Sequence, residues 1–201
     1  MALYTRKGDK GDTGAFGCKQ RFSKNSALTE ALGSLDELNS LLGICKIKAR
    51  DLRFMIYDLS LFEIIEQVQQ NLFIIQANLA GLLAKASAKA GADKKITQEK
   101  IIDMEKIIDN IEKELMPIKS FFLPGGMELS AYLDYARATI RQTERRVVAL
   151  SDLSAEASAK AETQKIDDEI IAYLNRLSSL FYVLARFVNL KSKIKETPPT
   201  Y

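Results

Sequence analysis

The sequence predicts an all-α fold, a five-helix bundle preceded by a glycine-rich N-terminal loop. Apolar residues recur in five segments at alternating steps of three and four, the spacing of a helix with one buried face. Four of the ten glycines fall within the first 17 residues, which favours a loop rather than a helix or a regular strand there. A repeat near 3.5 residues favours nearly parallel or antiparallel helix packing.

Each predicted helix is defined by its own apolar stripe. In the fourth, the stripe begins just after a Pro-Gly-Gly turn and includes Leu129, Leu133, Ala136 and Ile140. The five stripes cover residues 28–45, 61–82, 101–115, 129–150 and 170–188.

The connections differ in character. Residues 85–95 are rich in alanine, lysine and glycine, which predicts a surface loop or a helix end, and residues 116–127 carry two prolines and a Gly-Gly pair, which predicts a structured break. Residues 151–168 are polar and alanine-rich, as in a loop or a loosely held helix. The charged tail, residues 191–201, contains two prolines and is expected to be disordered.

Length and composition exclude several classes of protein. A chain of 201 residues can form a single domain, 1–201, and its net charge of +3 is too small for a typical nucleic-acid binder. We find no membrane span and no signal segment, so the expected location is the cytoplasm, with Cys18 and Cys45 as reduced thiols. The absence of histidine excludes imidazole-based triads and Glu-x-x-His di-iron sites.

A cluster of arginines on the fourth helix is the strongest candidate for a binding site. Arg137, Arg141, Glu144 and Arg145 follow one another at i, i+4, i+7 and i+8, so they project together beside the buried stripe. Guanidinium groups in this arrangement match an anion, and a polyphosphate matches best. The alternative is a surface network of salt bridges, but Glu144 is the single acid among four arginines between 137 and 146. The excess of positive charge favours a ligand or an interface.

Two further segments have an ordinary explanation when each is considered alone. Residues 4–14 combine glycines with threonine, lysine and arginine, which could hold a phosphate, although no Walker A pattern occurs and a flexible turn is the simpler interpretation. Residues 33–43 place Asp36, Asn39 and Ser40 on one helix flank, as on any solvated helix face.

The last two segments are aromatic and polar. Phe121 and Phe122 precede a proline turn and could cap the core or present a ring to a flat ligand, with the core slightly favoured. On the fifth helix, Asn175 begins a polar flank, and its amide could bind an adenine or a ribose or satisfy a neighbouring backbone group. The other members of that flank are Ser178, Tyr182 and Arg186.

In their order along the chain, these segments resemble the PduO-type ATP:corrinoid adenosyltransferases. The matching runs are T-R-K-G-D-K-G-D-T-G, G-S-L-D-E-L-N-S-L-L-G, F-F-L-P-G-G, R-A-T-I-R-Q-T-E-R-R-V-V and Y-L-N-R-L-S, and the resemblance spans residues 3–190. It implies a five-helix bundle with ferritin-like up-and-down packing that assembles as a homotrimer. It also implies that ATP binds between the N-terminal loop of one chain, residues 1–26, and the arginine helix of its neighbour.

The resemblance assigns roles to individual residues. Asp36 and Arg137 are implied to form an ion pair between subunits near the corrinoid, and Phe121 is implied to exclude the lower axial ligand of cobalt. Lys24 is implied to bind phosphate. The other implied ATP contacts are Thr5, Arg6, Lys7, Gly8, Thr13, Gly14, Arg141, Glu144, Arg145 and Asn175.

The implied reaction transfers the 5′-deoxyadenosyl group of ATP to the Co(I) of cob(I)alamin and releases triphosphate. Mg²⁺ is expected to bind through ATP rather than through side chains. An external reductase, expected to use a flavin, would supply the electron, and an adenosylcobalamin-dependent enzyme would accept the product. The competing hypotheses are a carrier that binds ATP and corrinoid without turnover, and a structural bundle whose arginines form subunit salt bridges.

The sequence departs from the family pattern at several positions. Lys7 replaces a threonine or serine, Asp134 a histidine, Gln142 a second arginine and Ser179 an aspartate. The alignment also needs one extra residue near Cys18.

Overall fold

The computed structural model describes residues 4–14, 21–81, 94–158 and 165–200, and it confirms the all-α bundle. The helices lie close to the predicted stripes. They are α1 (Ala27–Ala49), α2 (Leu61–Gly81), α3 (Gln98–Glu114), α4 (Glu128–Ser158) and α5 (Asp168–Lys191). Helix α1 packs against α2 and α4, and α5 packs against α3 and α4.

Helix α5 is the most buried element of the bundle. Every residue from Val183 to Asn189 is buried, including the two polar ones, Arg186 and Asn189. A polar side chain inside a core must find hydrogen-bond partners or it destabilises the fold. The polar contacts of α5 therefore determine what can pack around it.

The buried stripe of α4 is the predicted one. Leu129, Leu133, Ala136, Ile140 and Val147 are buried, as is Thr143, whose hydroxyl donates to the carbonyl of Ser34 on α1 at 3.2 Å. Leu150 is half-buried. Because one face of α4 enters the core, the arginines beside that stripe are left at its edge.

Two short hairpins were not predicted. Strand β1 (Asp12–Gly14) pairs antiparallel with β2 (Arg21–Ser23), and β3 (Met55–Ile56) pairs with β4 (Leu59–Ser60) between α1 and α2. The prediction that the glycine-rich segment contains no regular strand is therefore wrong for Asp12–Gly14. The pairing joins positions about ten residues apart, which local composition does not reveal. Residues 15–20, with Gly17 and Cys18, lie outside the described residues.

The N-terminal loop is joined to the bundle through the start of α1. Ser26 caps the helix by accepting a hydrogen bond from the Thr29 amide at 3.3 Å, and the Thr29 hydroxyl accepts one from the Ser26 amide at 3.1 Å. The same hydroxyl donates to the carbonyl of Lys24 at 2.9 Å. This reciprocal cap fixes Lys24 immediately before the helix.

The connections are described in part. Helix α4 continues to Ser158, so the first part of the predicted 151–168 connection is helical, and residues 159–164 lie outside the described residues. The same holds for residues 82–93, which contain most of the predicted surface loop. Within the described residues, no helix is long and apolar enough to cross a membrane.

The predicted structured break at residues 116–127 is held by Asn189 of α5. Its amide nitrogen donates to the carbonyl of Gly125 at 2.9 Å, and its amide oxygen accepts from the Met127 amide at 3.0 Å. Gly126 lies between them with φ of 104°, and a Cβ there would meet the Asn189 oxygen at 2.3 Å. Glycine is required at this position by both its conformation and the close approach.

The tail was expected to be disordered, but residues 192–200 follow a defined path. Glu196 forms an ion pair with the buried Arg186, with distances of 3.0–3.1 Å. Backbone hydrogen bonds join Leu123 to Thr197 and Ile194 to Asn189, each at 2.9 Å. Composition alone predicted disorder because it does not reveal that a buried guanidinium on α5 needs a carboxylate partner.

We predict that Glu196→Gln lowers the free energy of unfolding by about 1.5–3 kcal/mol, because a buried charged hydrogen bond is weakened while its shape is kept. Chemical denaturation measures this change. Glu114→Gln is the matched control, since the exposed pair of Glu114 with Lys191 contributes at most about 1 kcal/mol. Equal effects of the two substitutions would contradict the assigned role of Glu196.

Candidate functional site

The exposed edge of α4 faces an open cavity of about 290 Å³. Its lining residues are Arg141, Glu144, Arg145, Val148 and Asn175. Both arginines are exposed, and neither guanidinium group forms a hydrogen bond or an ion pair within the described part of the chain. Two neighbouring guanidinium groups that form no ion pair favour an anionic ligand, although Glu144 lines the same cavity.

The other arginines of the predicted cluster have acidic partners. The Arg137 Nε lies 3.8 Å from Asp134 Oδ1, and Arg146 Nη2 lies 3.6 Å from Glu30 Oε2. The explanation by surface salt bridges therefore applies to Arg137 and Arg146 but not to Arg141 and Arg145. The Arg137 Nε is also buried and makes no hydrogen bond.

Glu144 accepts a hydrogen bond from a side chain of helix α5. The amide nitrogen of Asn175 donates to its Oε1 at 3.0 Å. Four residues were predicted to form a polar flank on α5. Asn175 is exposed and faces α4, whereas Ser178 and Arg186 are buried, so the four do not form one exposed polar surface. Ser178 donates to the Asn175 carbonyl at 3.0 Å.

A second open cavity, of about 510 Å³, lies in the N-terminal loop. It brings together most of the loop residues singled out by sequence. Its lining residues are Thr5, Lys7, Gly8, Asp12, Thr13, Gly14, Arg21 and Lys24. Arg6 is not among them, and its guanidinium lies over the Tyr4 ring at 5.6 Å.

Gly8 and Lys24 meet at the wall of this cavity. The Lys24 ammonium donates to the Gly8 carbonyl at 3.0 Å. A Cβ at Gly8 would lie 3.2 Å from the Asp12 carbonyl oxygen and 3.3 Å from the Lys24 ammonium. The absence of a side chain at Gly8 thus lets the lysine approach the loop.

Arg21 is a site residue that the sequence analysis missed. It binds both carboxylate oxygens of Asp12 at 2.8 Å and donates to the Lys7 carbonyl at 2.7 Å. The hydrogen bond from Arg21 lowers the pKa of the Asp12 carboxyl below its usual range. Only the register of β1 and β2 brings these residues together, so no local pattern could have identified Arg21.

The two cavities share no lining residue. Both contain cationic groups suited to phosphate, but they belong to different parts of the chain. Each is therefore a separate, open, cationic cavity of the subunit.

Phe121 is 80% exposed, so the prediction that it caps the core is wrong for this residue. Phe122 is half-buried instead, with the Arg186 guanidinium 5.1 Å from its ring centre. Asp36 is exposed on α1, and within the described residues it makes no ion pair, with Arg137 or otherwise. The ion pair of Asp36 with Arg137 was predicted between subunits, and it stays a prediction.

A third cavity, of about 330 Å³, lies behind the Phe121 loop. Asp134 lines it and accepts a hydrogen bond from the Gly125 amide at 3.3 Å. Burial raises the pKa of the Asp134 carboxyl, and the nearby Arg137 opposes this effect in part. Asp134 therefore links the arginine helix to the loop that presents Phe121.

The remaining candidates lie apart from these cavities. Asn39 on α1 is buried, and its Oδ1 has no hydrogen-bond partner within the described residues. Burial raises the pKa of the Cys45 thiol to about 12, so it is unreactive. Gln142 and Ser179, two of the departures from the family pattern, are both exposed.

Comparison with known proteins matches nearly the whole chain. The family model for cobalamin adenosyltransferase matches residues 3–188. A corrinoid adenosyltransferase of Bacillus subtilis is 36% identical over 197 residues, covering 96% of this chain and 90% of that protein. PduO of Salmonella typhimurium is 37% identical over 186 residues, which are 92% of this chain and 49% of that protein. The chain thus spans about half the length of this relative.

A solved structure gives the same result for the fold. It is a variant of the PduO-type ATP:corrinoid adenosyltransferase of Lactobacillus reuteri, with alanine in place of one phenylalanine, complexed with cobalamin and ATP. It is 31% identical to this chain, covers 100% of both chains and superposes with a TM-score of 0.78. Sequence and structure together establish that this chain belongs to the cobalamin adenosyltransferase family.

Proposed function

We propose that this chain transfers the 5′-deoxyadenosyl group of ATP to the Co(I) of cob(I)alamin at a site shared by two subunits of a homotrimer. The chain is an ATP:corrinoid adenosyltransferase by its family. The observation that carries the shared site is the pair Arg141 and Arg145, which have no acidic partner in the described part of the subunit. We treat residues 1–201 as one adenosyltransferase domain.

The chemistry suits a protein without histidine. Cobalt(I) attacks C5′ with its own electron pair, a Co–C bond forms, and the C5′–O bond breaks as triphosphate takes the electrons. No side chain needs to act as the nucleophile. The protein has to hold C5′ in line with cobalt and balance the charge of the leaving triphosphate.

The arginine helix would bind the triphosphate. Arg141 and Arg145 are exposed guanidiniums beside the same cavity, and such groups form strong charge-assisted hydrogen bonds with phosphate. Glu144 repels phosphate, so its carboxylate and the amide of Asn175 suit the adenosine end of ATP. The nucleotide would then lie along the helix edge with its phosphates at the arginines.

The N-terminal loop would supply the other half of the site. Lys24 and Lys7 add positive charge beside Thr5, Gly8, Thr13 and Gly14, and we propose Arg6 as a further contact. Two half-sites that share no residue are consistent with a loop from one subunit meeting α4 of the next. A closed three-fold ring would form three such sites.

Corrinoid would bind beside Phe121. We propose that this exposed ring occupies the lower face of the corrin and excludes the axial ligand. A cobalt(II) without that ligand is easier to reduce, because the ligand donates electron density that stabilises the oxidised ion. Asp36 of one subunit and Arg137 of another would form an ion pair at this boundary.

Several components would come from outside the chain. Within the described residues, no group of three or more histidine, cysteine, aspartate or glutamate side chains could hold a metal. We propose that Mg²⁺ binds through ATP, where it would supply charge neutralisation. We further propose an external, flavin-dependent reductase and an adenosylcobalamin-dependent acceptor enzyme. The free, buried Cys45 agrees with a cytoplasmic, reducing location.

Anaerobic incubation with ATP, Mg²⁺ and cob(I)alamin tests the activity by absorbance. Formation of adenosylcobalamin supports the transferase. Binding without turnover would indicate a carrier, and the absence of binding would leave a structural bundle.

We predict that Arg141→Ala reduces adenosylation about tenfold or more, since a charge-assisted hydrogen bond worth about 1.5–3 kcal/mol is lost. Steady-state kinetics measure this effect. Arg146→Ala serves as the control, because Arg146 is paired with Glu30 and does not line the cavity. Turnover by Arg141→Ala at the wild-type rate would remove Arg141 from the site.

Co-expression of two variants that are each strongly impaired tests whether subunits share the site. A chain with Lys24→Ala retains an intact α4, and a chain with Arg141→Ala retains an intact loop. Random mixed trimers should recover about a quarter of wild-type activity, because one boundary in four joins an intact loop to an intact helix. No recovery in purified mixed trimers would show that each site lies within one chain.

We predict that Phe121→Ala binds ATP normally but fails to form four-coordinate cob(II)alamin. The change removes the ring that covers the lower face, while Phe121 lies outside the arginine and loop cavities. Visible and electron paramagnetic resonance spectra with ATP and cob(II)alamin measure the four-coordinate species. Spectra identical to those of the wild type would exclude Phe121 from this role.

A further inference from the structure

Four side chains form a continuous series of hydrogen bonds from α3 to α4 through α5. The Glu105 carboxylate accepts from the Arg176 Nε at 2.8 Å, and the Arg176 Nη1 donates to the Asn175 amide oxygen at 2.7 Å. The Asn175 amide nitrogen donates to Glu144 at 3.0 Å. Glu144 and Asn175 line the arginine-helix cavity, whereas Glu105 and Arg176 do not.

The chemistry of this series fixes the orientation of the Asn175 amide. A guanidinium can only donate hydrogen bonds and an ionised carboxylate can only accept them. The amide oxygen must therefore face Arg176, and the amide nitrogen must face Glu144. A flipped amide would place its N–H groups against the guanidinium and its oxygen against the carboxylate, which loses both bonds.

We propose that Arg176, held in place by Glu105, is a positioning residue for the nucleotide site. It fixes Asn175 so that one N–H of the amide and one oxygen of Glu144 remain available, side by side, to the adenosine part of ATP. Neither Arg176 nor Glu105 touches the nucleotide. This inference rests on the proposed function, because it requires ATP to contact Asn175 and Glu144.

An ion pair that only stabilises the fold is the competing explanation. The Arg176 and Glu105 side chains are 44% and 39% exposed, and pairs so exposed contribute little to stability. The chain also offers a matched control, since Lys191 and Glu114 join the same two helices with similar exposure. A purely structural role would make the two pairs equivalent.

The first test replaces Arg176 with methionine, which keeps much of the length but cannot donate. We expect the KM for ATP to rise about fivefold or more, while kcat at saturating ATP stays within about twofold of the wild type. Glu105→Gln should raise KM less, because Arg176 keeps its bond to Asn175. Lys191→Met should leave KM unchanged, and an equal rise in that variant would overturn the proposal.

A charge reversal separates orientation from ion pairing. The double variant Glu105→Arg with Arg176→Glu restores an α3–α5 ion pair but places a carboxylate beside the Asn175 amide oxygen. We expect thermal stability to recover while the KM for ATP stays high. Recovery of KM together with stability would mean that Arg176 acts only through its ion pair.

Asn175→Ala distinguishes failure of the inference from failure of the proposed site. If Asn175→Ala raises KM and Arg176→Met does not, the positioning role is wrong and the nucleotide site remains. If Asn175→Ala leaves KM unchanged, the proposed contact with ATP is wrong and the inference fails with it. When both raise KM, the double variant should show no further increase beyond Asn175→Ala, because Arg176 acts through Asn175.

Discussion

The burial of α5 is the constraint on which the other features depend. Every residue from Val183 to Asn189 is buried, so each polar side chain in that stretch requires a partner from another segment. Asn189 forms hydrogen bonds with the backbone of the turn at Gly125, and Arg186 forms an ion pair with Glu196 of the tail. These contacts hold the loop that exposes Phe121. The N-terminal half of α5 is exposed along one flank, and there Asn175 meets Glu144 of the arginine helix. One helix thus holds the proposed corrinoid side and the proposed nucleotide side in a fixed relation.

The distribution of charge beside α4 explains why a helix so rich in arginine can be a binding surface. Arg137 and Arg146 lie next to acids of the same subunit, whereas Arg141 and Arg145, between them, form no ion pair with any residue that the structure describes. Unpaired guanidiniums on one helix repel each other, and a polyphosphate removes that repulsion. The protein then needs only to orient a substrate that is already a strong nucleophile. The absence of histidine from the chain is consistent with a reaction in which the substrate, and not a side chain, is the nucleophile.

The sequence predicted what depends on local periodicity and missed what depends on contacts between distant residues. The stripe from Leu129 to Val147 was predicted correctly because a helix that packs on one side repeats every three to four residues. Three features were missed because each requires a partner that folding brings near. They are the strand Asp12–Gly14, the bidentate ion pair of Arg21 with Asp12, and the ordered tail. Phe121 illustrates the same limit of sequence-based prediction. Aromatic residues before a turn occur both in cores and at binding surfaces. In the structure, Phe122 packs against Arg186 and Phe121 is the exposed one. The roles of Asn175, Lys24 and Asp36 in binding came from resemblance and stay predictions.

The two cationic half-sites have a consequence for assembly if they face each other across a subunit boundary. Lys7 and Lys24 of one chain would then lie near Arg141 and Arg145 of another, and these charges oppose association when no anion lies between them. A triphosphate reverses the sign of that interaction, so nucleotide binding and subunit association become linked, and each strengthens the other by the same free energy. In such an assembly, Arg141 and Arg145 would be unfavourable for the isolated subunit and favourable once ATP is bound. Because subunits would associate more strongly with ATP than without it, the site that reacts with cob(I)alamin would stay incomplete until ATP is bound.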